Sequence, residues 1–536
     1  MQLPTQLYAG SLPSGEERIG MTRPHRDRCA DAYLTVFLSL CLPVILALFF
    51  TLLEGARVST IRMEIEVVAD TAADSALAEY HKELMEQYDL LMIDTSYGTD
   101  SPSVANTEEH LKTYMEKNFA VSGSLWSSDW GFTGLTVNSV TVSNTRFAAD
   151  NDAEALREQI YAYYSAEPIG SVVAEILEEI DTFNGLSLDT SEWSTLKSSN
   201  ESELKEGVEA AFAAAEEEES SAGEESASEE DSGSGEETAI IEAQSYVESQ
   251  GVSSDSAINI YSVLDSLMSA PILTQIFGST SKLSQATTDT SQLISGRTVH
   301  TGDGADAENS HGYAEADTIV FDVYAFEKCG SYVNQLDKSS LKYQLEYMLY
   351  GRESDVSNLE KTAETLLLIR LAANLVTIMQ DTERRQEAKL LGTALATLCL
   401  LHEELEPLFT VAILLIWTYM ESLQDVRTLL EGGSVPLIKS SSEWKTSLTS
   451  IFTGTTASSA SGSGLNYEMY LHILLFLEDG NTKNYRLMDL MEMDIRATDG
   501  NENFRMDWCM DTFTMEASVS SSYGYSYIIS REASYN

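Results

Sequence analysis

Residues 34–53 read LTVFLSLCLPVILALFFTLL, twenty consecutive positions without a charge. At a helical rise of about 1.5 Å per residue this length matches the hydrocarbon layer of a bilayer, so the stretch predicts a transmembrane helix. Pro43 falls mid-span and removes one backbone donor, a defect that spans tolerate with a kink because neighbouring groups re-satisfy the freed carbonyl. Arg18, Arg23, Arg26 and Arg28 precede the run, whereas Arg57 and Arg62 are the only basic residues in the first twenty positions after it. The count of basic residues favours a cytoplasmic amino-terminal side. The alternative is a cleaved signal peptide, but the run exceeds a usual h-region and LLEGARVS has no small-x-small cleavage pattern. Residues 1–20 look uncommitted, and Met21, which opens MTRPHRDR, is an alternative start that would leave a short basic leader. Thr35, Ser39, Ala47 and Thr51 recur at intervals of four or its multiples, a small-residue face of the kind that lets spans pack, or a scatter of small residues facing lipid.

Working outward, residues 54–97 contain no Pro, and their only Gly ahead of the sequence YGTD is Gly55. The segment predicts one long membrane-proximal helix. Leu77, Tyr80, Leu84, Tyr88 and Leu91 recur at spacings of three and four, an apolar stripe that calls for a partner surface. Asp70, Asp74 and Glu79 flank it. Carboxylates at i, i+4 are a pattern for metal binding or acid–base work, but no His or Cys joins them, and a solvated helix face is the better reading.

The whole chain has 536 residues, 85 Asp and Glu against 32 Lys and Arg, and a net charge of −53. Such a charge repels phosphate backbones, which argues against nucleic acid as a partner. Apolar residues at 43% supply packed cores, so disorder is expected only locally. Five dispersed cysteines without a CxxC spell neither a disulfide framework nor a zinc knuckle.

The order of a basic leader, the apolar run, Glu54-Gly55-Ala56-Arg57, ADTAADSALAEY and ELMEQYDLL resembles the amino-terminal region of TadE/TadG-like proteins of the bacterial tight-adherence pilus system. Further on, YQLEYMLYGRESDVSNLEKTAETLLLIRLAANL, ILLIWTYMESLQDVRTLL, VPLIKSSSEW and GLNYEMYLHILL look like an uncharacterised bacterial family carrying such an anchor. The resemblance implies an extracytoplasmic outer domain and no particular activity. Asp31 and Ala32 precede the span, and Phe37 stands where type IV pilins carry Glu, so the chain departs from the prepilin cleavage pattern and a permanently anchored protein is expected.

Beyond the anchor, residues 107–121 predict a helix, and Leu135, Val137, Val140 and Val142 alternate with one change of phase, a hairpin or bulged strand within 131–147. FRMDWCMDTFTMEASV and YGYSYII alternate too, and read as two further strands. Isolated hairpins are marginal, so both pairs are expected in one sheet against the membrane-proximal helix. Residues 201–240 hold fifteen acidic residues and one Lys, which predicts a disordered linker with no fixed geometry for calcium. KYQLEYMLYG, VSNLEKTAETLLLIRLAANLVTIMQ, EAKLLGTALATLCLL, PLFTVAILLIWTYMESLQDVRTLLEGG, YEMYLHILLFLEDG and YRLMDLMEMDIRA predict helices. The apolar runs 390–401 and 407–420 are shorter than a span and favour buried bundle helices over a membrane hairpin.

The fold class expected is therefore α+β, predominantly α: an anchor continuing into a long helix, and a small pilin-like antiparallel sheet interrupted by a large helical insertion. The boundaries are 1–33 cytoplasmic tail, 34–53 span, 54–97 long helix, 98–196 α/β region, 197–240 acidic linker, 241–324 mixed helix and loop, 325–496 helical domain and 497–536 carboxy-terminal strands.

Chemistry has little foothold. His402-Glu403-Glu404-Leu405-Glu406 lacks the second imidazole of HExxH, and His472 is the nearest other histidine in sequence. Ser194/Lys197, Ser339/Lys342 and Ser442/Lys445 match SxxK in a Ser-rich chain without SDN or KTG. No phosphate-binding loop and no nucleophile elbow occur. Asp303, Asp306, Glu308 and His311 lack the alternation of a calcium loop. Glu346, Arg370, Asn374, Glu421, Asp425 and Arg427 lie inside apolar helices. Arg370, if buried, requires Glu346, Asp425 or Glu421 as partner, which fits an ion-pair network setting helix register better than an active site.

No catalytic, cofactor-binding or metal-ligating residue is assigned, no cofactor is expected, and no small-molecule substrate is identifiable. The expected role is non-enzymatic: a single-pass, extracytoplasmic, pseudopilin-like or scaffold component of a pilus- or secretion-type surface apparatus. Its expected partners are the lipid bilayer and other envelope or pilus-assembly proteins. The alternative is a membrane-tethered sensor or ligand-binding ectodomain.

Overall fold

The computed structural model describes residues 27–124, 133–165, 169–185, 241, 243–249, 266–267, 269–304, 315–398, 406–448 and 464–535. The expected basic leader with its Met21 start and the acidic linker at 197–240 lie outside the described residues. The fold is α+β and predominantly α. The helices are α1 (Asp27–Leu77), α2 (Lys82–Tyr88), α3 (Val104–Ser124), α4 (Glu154–Ser165), α5 (Gly170–Gly185), α6 (Ile272–Phe277), α7 (Glu315–Lys328), α8 (Gln344–Tyr350), α9 (Asp355–Gln380), α10 (Thr382–Leu398), α11 (Glu406–Leu430), α12 (Tyr467–Leu477) and α13 (Gly480–Arg496). The strands are β1 (Ile93–Asp94), β2 (Leu135–Phe147), β3 (Ser434–Val435), β4 (Leu465–Asn466), β5 (Cys509–Ser521) and β6 (Ser526–Ser534).

The chain divides into two compact units. The first comprises Met1–Ala69, Met115–Asn138 and Ser518–Ile529. Within it α1 carries the apolar run, and Tyr33, Leu34, Phe37, Leu40, Leu42, Leu46, Phe49 and Leu52 are all exposed. Past Glu54 the same helix changes character: Ile61, Ile65 and Val68, three and four apart, are buried, as are Met115, Phe119, Val137, Val519 and Ile529 of the same unit.

The second unit comprises Asp70–Tyr114, Ser139–Ala517 and Ser530–Asn536. Its helices form a bundle in which α11 packs on α9 and α10, α8 packs on α9, and α12 contacts α5, α7 and α8. α9 and α11 are long and apolar enough to cross a membrane, yet 72% of the most apolar window of each is buried, whereas none of the corresponding window of α1 is. The bundle reading of the 407–420 run describes the packing of α11; of the 390–401 run, 390–398 belong to α10 and 399–401 lie outside the described residues. Ser354 caps α9 by accepting from the Ser357 amide, and Gly351, at φ +58°, closes α8 in the left-handed region.

The sheet is antiparallel and built on β5, which pairs with β1, β2 and β6. Cys509, Asp511, Phe513, Met515 and Ala517 of β5 are buried at every second position, the period the sequence carries. β2 is a single strand rather than a hairpin. Its buried residues Val137 and Val140 stand three apart, and Asn144 at φ +49° marks a second irregularity.

The expected unbroken helix over 54–97 is corrected. α1 stops at Leu77, the chain turns through Ala78–His81, and α2 starts where the His81 ring accepts from the Leu84 amide at 3.2 Å. The His81 amide donates to the Met92 carbonyl at 2.8 Å, folding the segment back on itself. The reason is packing. Leu84, Tyr88, Leu90 and Met92 are all buried in the bundle core, which a straight helix would not allow.

Candidate functional site

The polar interior of the bundle is the candidate site, because fully buried charges are stable only where partners converge on them. α9 presents Arg370 and Asn374 one turn apart, α11 presents Glu421, Ser422 and Asp425, and the segment after β3 supplies Lys439. Arg370 is fully buried and donates from Nε to Asp425 at 3.0 Å. Its Nη1 donates to the carbonyls of Pro436 and Leu437 at 3.0 and 2.8 Å and to the Tyr470 hydroxyl at 3.1 Å, and Nη2 donates to Asn374 Oδ1 at 3.2 Å. Asn374 Nδ2 in turn donates to Asp425 at 2.9 Å and to Ser422 at 3.0 Å. Lys439 Nζ bridges Glu421 and Asp425. Glu421 also accepts from the amides of Lys445 and Thr446, at 3.0 and 2.8 Å. Two cations thus meet two carboxylates, and further bonds reach Asn374, Ser422, Tyr470 and the backbone of residues 436–446. The arrangement pins the VPLIKSSSEW segment across α9 and α11.

Of the three candidate partners for Arg370, the structure selects Asp425. Glu421 pairs with Lys439, and Glu346 lies elsewhere in the core, accepting from the Tyr467 hydroxyl at 2.6 Å and the Tyr332 amide at 2.8 Å. The other Glu346 oxygen, Oε2, is buried with no hydrogen-bond partner among the described residues. Burial pushes this carboxyl up to about 7, against the pull of Tyr467. Arg427 is a separate contact, donating to the Gln275 carbonyl at 2.8 Å.

Further buried pairs had no signal in the sequence, because their members are far apart along the chain. Lys483 meets Asp322 at 2.5 Å, where burial raises the Asp322 carboxyl to about 6 and lowers the lysine. Arg297 spans Glu492 and Asp507 at 2.6 and 2.5 Å. Asp489 accepts from Ser295 and from the Tyr347 hydroxyl, and burial raises it to about 6. Lys439 is likewise inconspicuous in sequence, a lone lysine after PLI in a loop.

The weaker sequence candidates separate. Asp70 pairs with Arg531, while Glu79 accepts from Tyr114 at 2.5 Å and contacts the His110 ring at 2.9 Å, so Asp70 and Glu79 serve different neighbours. Residues 402–405 of the HExxH near-miss lie outside the described residues, and Glu406 faces Lys389 at 3.7 Å. His472 is stacked on Phe326 at 3.5 Å, and burial lowers it to about 4. Neither described SxxK match forms a Ser–Lys pair: Ser339 and Lys342 each bind the Leu336 carbonyl, Ser442 contacts Ser440, and Lys445 Nζ reaches Thr428. Ser194 and Lys197 lie outside the described residues, as do Asp306, Glu308 and His311. Asp303 accepts from the Thr145 amide and hydroxyl at 2.7 and 2.8 Å. Among the described residues no group of three or more His, Cys, Asp or Glu is arranged to hold a metal ion.

One open cavity of about 590 Å³ adjoins the bundle, lined by Phe277, Lys282, Tyr332, Gln335, Tyr343 and Glu431 among others. A family model described as "Family of unknown function (DUF5702)" matches residues 250–521, just over half of the chain, a range that holds both this cavity and the Arg370 network. No curated protein and no solved structure matches the chain.

Proposed function

Because the chain belongs to the DUF5702 family of unknown function, we propose from its own physical features that it is a non-enzymatic, membrane-anchored scaffold whose bulk lies outside the cytoplasm. In the fuller reading, it is a TadE/TadG-like component of a pilus- or secretion-type surface assembly, contacting other envelope proteins. One observation carries the anchor: nineteen of the twenty residues of the uncharged run in α1 are exposed and Cys41 is half-buried, whereas α9 and α11, the other two described helices long and apolar enough to span, are mostly buried. Exposing so long an apolar cylinder to water is unfavourable by about 25 cal/mol per Å², and a bilayer is the solvent that removes the cost. The arginine count ahead of the run supports a cytoplasmic amino-terminal side. The Arg370 network supports a structural role for the interior, since its charges are engaged by one another and by backbone.

Fractionation of cells expressing the full chain tests this. The expected result is retention in the membrane pellet through alkaline carbonate, release by detergent, and digestion of residues beyond 54 by protease added outside the cell. Recovery in the soluble fraction overturns the anchor, and protection from external protease overturns the orientation.

The cavity favours a second reading, a membrane-tethered sensor. Phe277 and Tyr332 line the cavity beside Lys282, Gln335 and Glu431, the mixture of aromatic and polar side chains that small-ligand sites use. A thermal-shift screen of the detergent-solubilised full chain tests it. A stabilising compound whose effect disappears in a Lys282→Ala, Tyr332→Ala variant would favour the sensor over the scaffold.

A further inference from the structure

The β5–β6 turn, Ser522–Tyr525, is bound to the first residues of α1 that follow the uncharged run. Tyr525 donates its hydroxyl to Glu54 Oε1 at 2.5 Å, and Glu54 Oε2 meets Arg57 Nη1 at 2.6 Å. The Arg57 guanidinium lies over the Tyr523 ring, 3.9 Å from its centroid. The turn itself is tightly closed: the Ser521 amide donates to the Tyr525 carbonyl at 2.8 Å, the Gly524 amide donates to Ser521 at 2.9 Å, and Gly524 stands at φ +85°. Gly134, at the start of β2, approaches so closely that a Cβ there would meet Ser522 Oγ at 2.1 Å. The Ser522 amide donates to the Gly134 carbonyl at 2.8 Å. The turn is therefore held in place from both the helix and the sheet, and Tyr523 remains 41% exposed at its tip.

Arg57 follows Leu53 by four residues, which at about 1.5 Å per residue puts its Cα about 6 Å beyond the end of the uncharged run. The polar headgroup layer on each side of a bilayer is about 5–8 Å deep. Tyrosine, with an apolar ring and a polar tip, is the side chain enriched at that depth. We infer that the β5–β6 turn rests in the headgroup layer of the bilayer that receives α1, with Tyr523 as its interfacial side chain and the Glu54–Arg57–Tyr525 cluster as the brace holding it there. The inference rests on the anchor reading above and adds to it a second, peripheral lipid contact. The Glu54–Arg57 pair is neutral as a whole, so the contact is with the interface of any phospholipid bilayer and does not require anionic lipid.

Photocrosslinking of the full chain in phosphatidylcholine vesicles tests it, with benzoyl-phenylalanine replacing Leu46, Tyr523 or, as an aqueous reference about 21 Å beyond Leu53 on the same helix, the exposed Val67. The expected result is a phospholipid adduct at Leu46 and at Tyr523, with about tenfold less at Val67. In an Arg57→Ala background the Tyr523 adduct should fall severalfold while the Leu46 adduct stays unchanged. An adduct at Leu46 with none at Tyr523 overturns this inference and leaves the anchor standing. Failure at both positions overturns the anchor as well.

Discussion

Arg370 is the side chain around which the bundle's polar interior is arranged. Removing it leaves Asp425 buried against a single lysine and frees two backbone carbonyls, so Arg370→Ala should destabilise the detergent-solubilised chain by about 3–5 kcal/mol, read as a fall in the thermal unfolding midpoint. An unchanged midpoint would contradict the structural role assigned here. Glu346 makes a pH-dependent contribution of the opposite kind. Its folded-state value, about 7, lies above the ordinary glutamate value of about 4.5 because burial disfavours the charge and Asp355 adds repulsion. Between those values the folded chain keeps the proton that the unfolded chain has lost, so stability falls as pH rises through this window and the loss is complete above pH 7. Denaturation of Glu346→Gln across pH 4.5–8 should show a shallower decline than the parent, and superimposable profiles would exclude the effect. That Arg370 needs a buried carboxylate was legible, because a charge flanked by LLLIRLAANL has to find one, but which of Glu346, Glu421 and Asp425 it takes was not. Lys439 and the Lys483–Asp322 pair were not, since nothing local distinguishes a buried lysine from a solvated one.

At the scale of elements, periodicity was a sound guide wherever one face of a segment meets a core. The alternation of FRMDWCMDTFTMEASV became β5, with every second residue buried, and the apolar runs of α8, α9, α11, α12 and α13 lie where the pattern put them. It misled at Ala78–His81, where a stripe continuous in sequence belongs to two helices. Helical spacing records which residues want burial, while the direction of the chain is set by the core that buries them. Short pairings depend on close approach instead. β3 and β4 pair through Ser434–Asn466 and Val435–Leu465, and a Cβ at Gly464, whose φ is +131°, would stand 2.3 Å from the Pro436 nitrogen. Gly464→Ala should therefore cost about 2 kcal/mol in chemical denaturation and raise amide exchange at Val435 and Leu465. Unchanged exchange would mean that the ribbon accommodates the methyl.

For the whole molecule, the proposed membrane insertion is the property most open to a direct test. Placing Leu42→Arg and Leu46→Arg together in the uncharged run should disfavour insertion by about 5–7 kcal/mol and move the chain from the membrane pellet to the soluble or aggregated fraction. Retention in carbonate-washed membranes would show that another surface holds it. The predominantly helical α+β class and the apolar run of α1 follow from composition and period, because these are sums over neighbouring residues that no later contact reverses. The break after Leu77, the choice of Asp425 over Glu346 or Glu421, the buried lysines and the brace between Glu54 and Tyr525 came from the tertiary structure alone. Each joins residues whose separation along the chain carries no information about their distance in space, and each is selected by the need to satisfy a buried polar group once the apolar surfaces have closed around it.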